Sequence, residues 1–316
     1  MTIETEIRKA KRNAPKSAVL KKAWSYRELY IMLIPAVLCY AVFCYGPMYG
    51  ITIAFKDYWS TKGILGSPWV GFANFEEIFS QGYFWKVFKN TLILNFGRLL
   101  FGFPTPIILA LLLNELRSNT YKRVIQTIIY LPHFISWVII AGIIFALFSN
   151  SGMINTIIEN MGFSKINFLT STNTFRPLVI ISDVWKEMGW GTIIYLAAIA
   201  GISPELYEAA IVDGAGRWQR MLHITLPSIL PTIAILLIMN VGGLVGGGGF
   251  DQIYNLYNEA VYDIGDVIDT YVFRVGLGNG EFEIGTAIGL FLNVMNIALV
   301  LITNTISKKV SGVGLY

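Results

Sequence analysis

Asp183, Glu187 and Trp190 stand at i, i+4 and i+7 within an apolar run, so a helix there carries two carboxylates and an indole on one face. Carboxylates accept hydrogen bonds from hydroxyl groups, and an indole packs against the apolar face of a pyranose ring. That combination is the chemistry a sugar site needs. Polar groups recur in other apolar runs: Asn95 and Arg98 in one, Asn240 in another, Asn293 and Asn296 in a third. With each run taken as a helix rising about 1.5 Å per residue, these groups lie roughly 8 to 18 Å below the outer boundary of a bilayer. Ionisable groups at such depth are costly and by default mark a pathway or a pair inside the bundle. The other reading of the same residues is an internal Arg98–Asp183 ion pair, with the asparagines hydrogen bonding between helices. Both readings stay open on the sequence.

A second constellation occupies residues 205–227, ELYEAAIVDGAGRWQRMLHITLP, a polar interruption of an otherwise apolar chain. Residues 206–212 are expected to form a short amphipathic helix, with Leu206, Ala209 and Ala210 on one face and Glu205, Glu208 and Asp213 elsewhere. Gly214 can take positive φ and turn the chain out of that helix. Ala209 and Ala210 keep the surface low, so a partner can approach closely and hold the segment in a groove. Ile224, Leu226 and Pro227 then open the next apolar run.

Other chemistries lack their residues. Cys39 and Cys44 lie in the first apolar run and offer neither metal-ligand spacing nor a disulfide framework. His133, in LPHF, and His223, beside the polar loop, have no second histidine or carboxylate at ligand spacing, so packing or loop hydrogen bonding is expected of them, and no metal site. Asp183 and Glu187 lack the nucleophile and oxyanion hole of a hydrolase. No G-x-x-x-x-G-K-[ST] phosphate loop occurs, and the glycine run from Gly246 to Gly249 is followed by no Lys-Ser or Lys-Thr. The net charge of +4 is not gathered in a nucleic-acid patch, because the basic residues flank membrane segments.

The elements that must position these groups are membrane helices. Of 316 residues, 54% are hydrophobic and 14% charged, too little polar surface to cover a globule in water. Several runs reach the roughly 20 apolar residues needed to cross a bilayer. Six spans are expected at 29–55, 90–114, 124–148, 178–201, 226–245 and 285–306, an all-α polytopic membrane protein. Around this domain of 29–306 lie a basic amino-terminal segment, 1–28, and a tail, 307–316. The run 29–55 is too long for a cleaved signal peptide and is expected to stay attached.

Six spans place both termini on one side. Arg8, Lys9, Lys11, Arg12, Lys16, Lys21, Lys22, Arg27, Arg117, Lys122, Arg123, Arg217, Arg220, Lys308 and Lys309 then fall on that side, outnumbering roughly two to one the basic residues opposite. The positive-inside bias makes it the cytoplasm, and the loop 205–227 is cytoplasmic with it. The opposite segment 246–284 holds Asp251, Glu259, Asp263, Asp266, Asp269, Glu281 and Glu283 against Arg274, with Phe250, Tyr254, Tyr257, Tyr262 and Tyr271 among them. Such an acidic, aromatic surface is expected to dock an extracytoplasmic protein; plain solvation is the alternative.

The register of Glu208, Ala209, Ala210, Gly214, Ile224, Leu226 and Pro227 resembles the cytoplasmic loop of permease subunits in binding-protein-dependent ABC importers. KGILGSPWVGFANF (62–75), residues 101–115, LPHFISWV (131–138), SDVWKEMGWG (182–191) and DVIDTYVFRVGL (266–277) resemble the sugar-importer permeases among them, the group similar to the first permease of maltose-type systems. The resemblance spans nearly the whole chain after the basic segment. It implies a type I ABC importer permease in a bacterial cell membrane, paired with a second permease subunit. Two copies of a cytoplasmic ATP-binding subunit would hold ATP-Mg, which this chain does not, and an extracytoplasmic solute-binding protein would deliver a carbohydrate. It further implies that residues 205–227 couple to the ATPase. The run Gly242-Gly243 and Gly246 to Gly249 departs from the group in its glycine content, which permits close helix contact or an unwound turn.

An ion-coupled secondary transporter is the alternative bundle with intramembrane carboxylates. It would show an internal repeat with paired broken helices, which the sequence lacks, and would have no use for such a loop.

Overall fold

The computed structural model describes residues 24–247, 249–312 and 314–315, so the basic amino-terminal segment lies outside the described residues as far as residue 23. Among the described residues there is no β-strand, only an isolated bridge between Lys56 and Trp69. The chain divides into two compact units after Thr52. In the first, α1 (Arg27–Tyr40), with Pro35 inside it, continues through a π turn (Ala41–Tyr45) into a 3-10 stretch (Gly46–Phe55) whose last three residues already belong to the second unit. None of its described residues is buried. A helix apolar on all sides belongs in lipid or against another protein.

The second unit holds the rest. α2 (Ala73–Ser80) leads into α3 (Gly82–Gly102) and α4 (Pro104–Asn114), which together form the second span. It starts ahead of the expected 90–114 because Lys86 and Lys89 belong to the helix. α5 (Asn119–Tyr130), a 3-10 turn (Leu131–Phe134) and α6 (Trp137–Phe148) follow, then α7 (Met153–Asn160). α8 (Thr172–Ala200) is the long helix of the carboxylates, and α9 (Pro204–Val212) turns away from it by 71°. A turn (Arg217–Arg220) and a π turn (Met221–Thr225) run straight into α10 (Leu226–Val241). Short helices α11 (Phe250–Leu256) and α12 (Ile268–Val272) precede α13 (Phe282–Ser311).

Among the described residues five helical stretches are long and apolar enough to cross a membrane: Arg27–Phe55, Gly82–Asn114, Trp137–Asn160, Arg217–Val241 and Phe282–Lys309. α8 makes a sixth only together with α9, because Asp183, Lys186 and Glu187 interrupt its apolar surface. The protein is thus the all-helical membrane protein its composition demands.

The expected third span, 124–148, is not one helix. Pro132 has no N–H for the helical ladder, and Ser136 starts a new helix by accepting a hydrogen bond from Ile139 N at 3.4 Å. The halves α5 and α6 run antiparallel along α8. Ile129 meets Gly189, the 131–134 turn meets Lys186, and Ile140, Ala141 and Ile144 share a core with Leu178 and Val179. Two further cores join α3, α12 and α13, and α4, α8 and α10.

The acidic segment 246–284 is less of a surface than its sequence suggests. Asp266 is fully buried and accepts from Tyr83 Oη at 2.6 Å, Arg274 Nη2 at 2.6 Å and Thr270 Oγ1 at 2.8 Å. Those bonds satisfy a buried carboxylate and push the Arg274 guanidinium above its ordinary pKa. Asp269 is half-buried, and Tyr271 is buried with its hydroxyl on Gln81 at 2.9 Å. Asp251, Tyr254, Glu259 and Asp263 remain exposed, Asp263 paired with Lys86.

Candidate functional site

α3, α8 and α10 converge on a cleft of about 420 Å³. Asn95 and Arg98 enter it from α3, Asp183 and Glu187 from α8, and Asn240 from α10, with Gly243, Leu244 and Gly247 closing one side. An adjoining cleft of about 200 Å³ shares Gly102, Phe103, Glu187 and Asn240 with the first and adds Trp190, Ile194 and Tyr195. Glu187 and Asn240 therefore stand at the junction. Six of the sequence candidates come together here.

Asn293 and Asn296 do not. Asn293 is exposed on α13 away from both clefts, and Asn296 accepts from Val245 N and donates to Gly246 O, each at 3.3 Å. Equal depth along a helix does not give equal facing. Asn296 instead holds the glycine run, which is both unwound and close-packed. A Cβ on Gly242 would sit 2.5 Å from Val300 Cγ2, and one on Gly249 would sit 2.5 Å from Arg98 Nη1.

The ion pair and the cleft turn out to be one object. Arg98 Nε lies 3.8 Å from Asp183 Oδ1, while Nη1 donates to Asn95 Oδ1 at 2.9 Å and Nη2 to Gln252 Oε1 at 2.5 Å. Gln252 is itself buried, donating to Val179 O at 2.7 Å and Ser182 Oγ at 2.9 Å. Asn95 donates to Leu244 O at 2.9 Å, and Asn240 to Leu236 O at 2.8 Å. Arg98 is thereby fixed by neighbours on three sides. The carboxylates remain partly open, Asp183 at 22% side-chain exposure and Glu187 at 43%.

Two residues that the sequence reading did not place among the site candidates belong here. His133 Nδ1 lies 2.8 Å from Glu187 Oε2, and its ring stacks on Trp190 with centroids 4.4 Å apart and planes 5° from parallel. The expected packing role is present, together with a carboxylate partner that sequence spacing could not supply because it comes from another helix. Trp190 has one face covered by this imidazole and keeps 46% of its surface exposed. Lys186, 6% exposed, donates from Nζ to His133 O at 2.6 Å and Pro132 O at 3.3 Å. Pro132 followed by Ser136, a stop and a cap inside one apolar run, was the available signal.

The loop forms at the far end of α8. α9 ends in a Schellman motif: Ala215 N donates to Ala210 O at 2.8 Å, Gly214 N to Ile211 O at 3.0 Å, and Gly214 has φ +78°. Glu208 and Ala209 are exposed, and Ala210 is half-buried. Apolar Leu206, Ile211, Val212 (87% exposed) and Trp218 also face outward. Tyr207 Oη and Thr225 Oγ1 are 2.9 Å apart, tying α9 to the base of α10. Below α9 lies a groove of about 360 Å³ lined by Ala210, Asp213, Gly214, Gln219, His223 and Ile224. Leu226 packs on the core of α4, α8 and α10, and Pro227 follows directly on the π turn. Among the described residues no group of three His, Cys, Asp or Glu is placed to hold a metal.

Residues 102–312 match the family described as binding-protein-dependent transport system inner membrane component. The chain is 47% identical over 289 residues to protein LplB of Bacillus subtilis, covering 91% of each chain. It is 45% identical over 299 residues to the polygalacturonan/rhamnogalacturonan transport system permease protein YteP of the same organism, covering 94% of this chain and 93% of that one. In a crystal structure of a bacterial ABC transporter involved in the import of the acidic polysaccharide alginate, one chain superposes with TM-score 0.85 at 43% identity, over 93% of this chain and 99% of that chain.

Proposed function

The chain belongs to the family of binding-protein-dependent transport system inner membrane components, and on that premise we propose that the cleft between α3, α8 and α10 is its saccharide path. The protein is a membrane permease subunit of an ABC importer of oligosaccharides, and it is not an enzyme. An ion-coupled transporter finds no support among its relatives. The observation that carries the path is the convergence of Asn95, Asp183, Glu187 and Asn240 from three helices on one cleft. Their acceptors and donors suit hydroxyl groups, and Trp190 adds an apolar ring at the junction.

The loop 205–227 docks in a groove of a cytoplasmic ATP-binding subunit that holds ATP-Mg; its exposed apolar helix and low Ala209–Ala210 surface support that role. A second permease completes the membrane portion. An extracytoplasmic binding protein meets the 246–284 end through exposed Asp251, Tyr254, Glu259 and Asp263, in keeping with a neighbour's structure solved with its alginate pentasaccharide-bound periplasmic protein. Both termini lie in the cytoplasm of a bacterial cell, a reading that the basic-residue bias supports.

Reconstitution tests this. Uptake of oligogalacturonides or alginate pentasaccharide into proteoliposomes is expected only with ATP, the ATP-binding subunit and the binding protein all present. Uptake driven by a proton or sodium gradient without ATP would overturn the reading.

A further inference from the structure

The break between α5 and α6 is held by one side chain. The last carbonyl groups of a helix have no partner within it and need other donors. At the Leu131–Phe134 turn Lys186 Nζ donates to His133 O at 2.6 Å and, at 3.3 Å, to Pro132 O, which also accepts from Ile135 N at 3.1 Å. The same amine lies 3.7 Å from Glu187 Oε1 and 5.7 Å from the centre of the Trp137 ring. Glu187 reaches with its other oxygen to His133 Nδ1, 2.8 Å away. His133 is therefore gripped twice, at its backbone by Lys186 and at its ring by Glu187. That ring covers one face of Trp190, and Phe134 meets Trp190 edge-on at 6.1 Å.

From this chain of contacts we infer that Lys186 is a positioning residue for the cleft: by bridging the break it fixes His133, and through His133 it sets the Trp190 ring at the cleft edge. Lys186 lines neither of the two clefts, whereas Glu187 and Trp190 do. It acts without touching what passes. The inference rests on the cleft being the saccharide path. A lysine that merely stabilised the fold would change assembly or melting and leave the indole as it is.

The test uses the full chain assembled with its partner subunits in nanodiscs. Trp190 emission is isolated as the difference between each protein and the same protein carrying Trp190→Phe. A stacked imidazole quenches an indole, so His133→Ala and Lys186→Met are each expected to raise that difference about two-fold or more, and the double variant no further. Wild-type emission in Lys186→Met beside a rise in His133→Ala overturns the inference. So does no rise in either, since the stack is then absent. If Lys186→Met does not assemble, Lys186→Gln decides by the same criterion.

A kinetic arm separates positioning from stability. In Lys186→Gln the half-saturating concentration of alginate pentasaccharide for import should rise about five-fold while the maximal rate stays within about two-fold. A fall in maximal rate alone marks a structural lysine and overturns the inference. A wild-type complex that imports no saccharide would instead remove the saccharide-path reading, while the emission measurements still judge Lys186.

Discussion

Gly189 of α8 and Ile129 of α5 meet backbone to backbone: a Cβ built on Gly189 would lie 1.9 Å from the Ile129 carbonyl oxygen. The obstacle is main chain and cannot rotate away. Gly189→Ala must push α5 off α8 just before the break, and overpacking of this kind costs about 1 to 3 kcal/mol. The melting temperature of the purified complex is expected to fall, whereas Gly142→Ala in α6, where the added Cβ meets nothing within 4 Å, should leave it near wild type. Equal melting of the two variants would show that the helices are not in this contact.

Arg98 and Asp183 should behave as a unit. Removing either alone takes the nearest opposite charge from a largely buried partner and should destabilise the protein, and removing both should recover part of the loss. A double-mutant cycle read by stability and by uptake measures this. Strong stability coupling with undiminished uptake in the double variant would take the pair off the transport path and leave Glu187, Trp190 and Asn240 as its polar residues.

Gly214 has open space around its missing side chain but a φ of +78°. Conformation is therefore the whole obstacle. Valine there costs about 1 to 2 kcal/mol, enough to open the α9 turn while membrane insertion proceeds. Gly214→Val is expected to weaken association with the ATP-binding subunit, and normal ATP-driven uptake by that variant would remove the docking role of the loop. Glu208→Ala should do less, since an exposed charge contact is worth about 1 kcal/mol or less.

Burial lifts the Asp269 carboxyl above the usual carboxylate range, with the Gly247 backbone N–H and Arg98 drawing it partly back. A raised acid binds its proton more tightly in the folded protein than in the unfolded one. Its contribution is thus full below the ordinary aspartate pKa and is lost as pH climbs through the raised folded value. Asp269→Asn should therefore gain on wild type in thermal unfolding as pH rises from the ordinary aspartate pKa of 3.8 through the raised folded value. A constant difference across that range would contradict the shift.

The sequence carried the membrane class, the loop and much of the cleft, because each is written in local spacing. Gly214 turned the chain as its position after EAA implied, and Asp183, Glu187 and Trp190 fell along the cleft edge as i, i+4 and i+7 require. What stayed hidden depended on a second helix. The Glu187 partner of His133 sits 54 residues away in sequence, and the carbonyls that Lys186 serves lie at the break between α5 and α6, on another helix pair. Asp266 reads as surface charge until Tyr83, Thr270 and Arg274 close around it.

The π turn at Met221–Thr225, where Leu226 N reaches back to Met221 O, takes up a surplus residue. Each residue of an α-helix advances the azimuth by about 100°, and a π turn absorbs one residue more than an α turn would. The loop therefore keeps its bearing around the α10 axis in spite of a surplus residue. Deleting His223, which is exposed, would let the helix relax to regular winding with Arg217 and Trp218 at nearly the same bearing relative to Asn240, because the π turn had already taken up the extra residue. The fifth span can thus lose one residue at this point without turning one of its ends against the other.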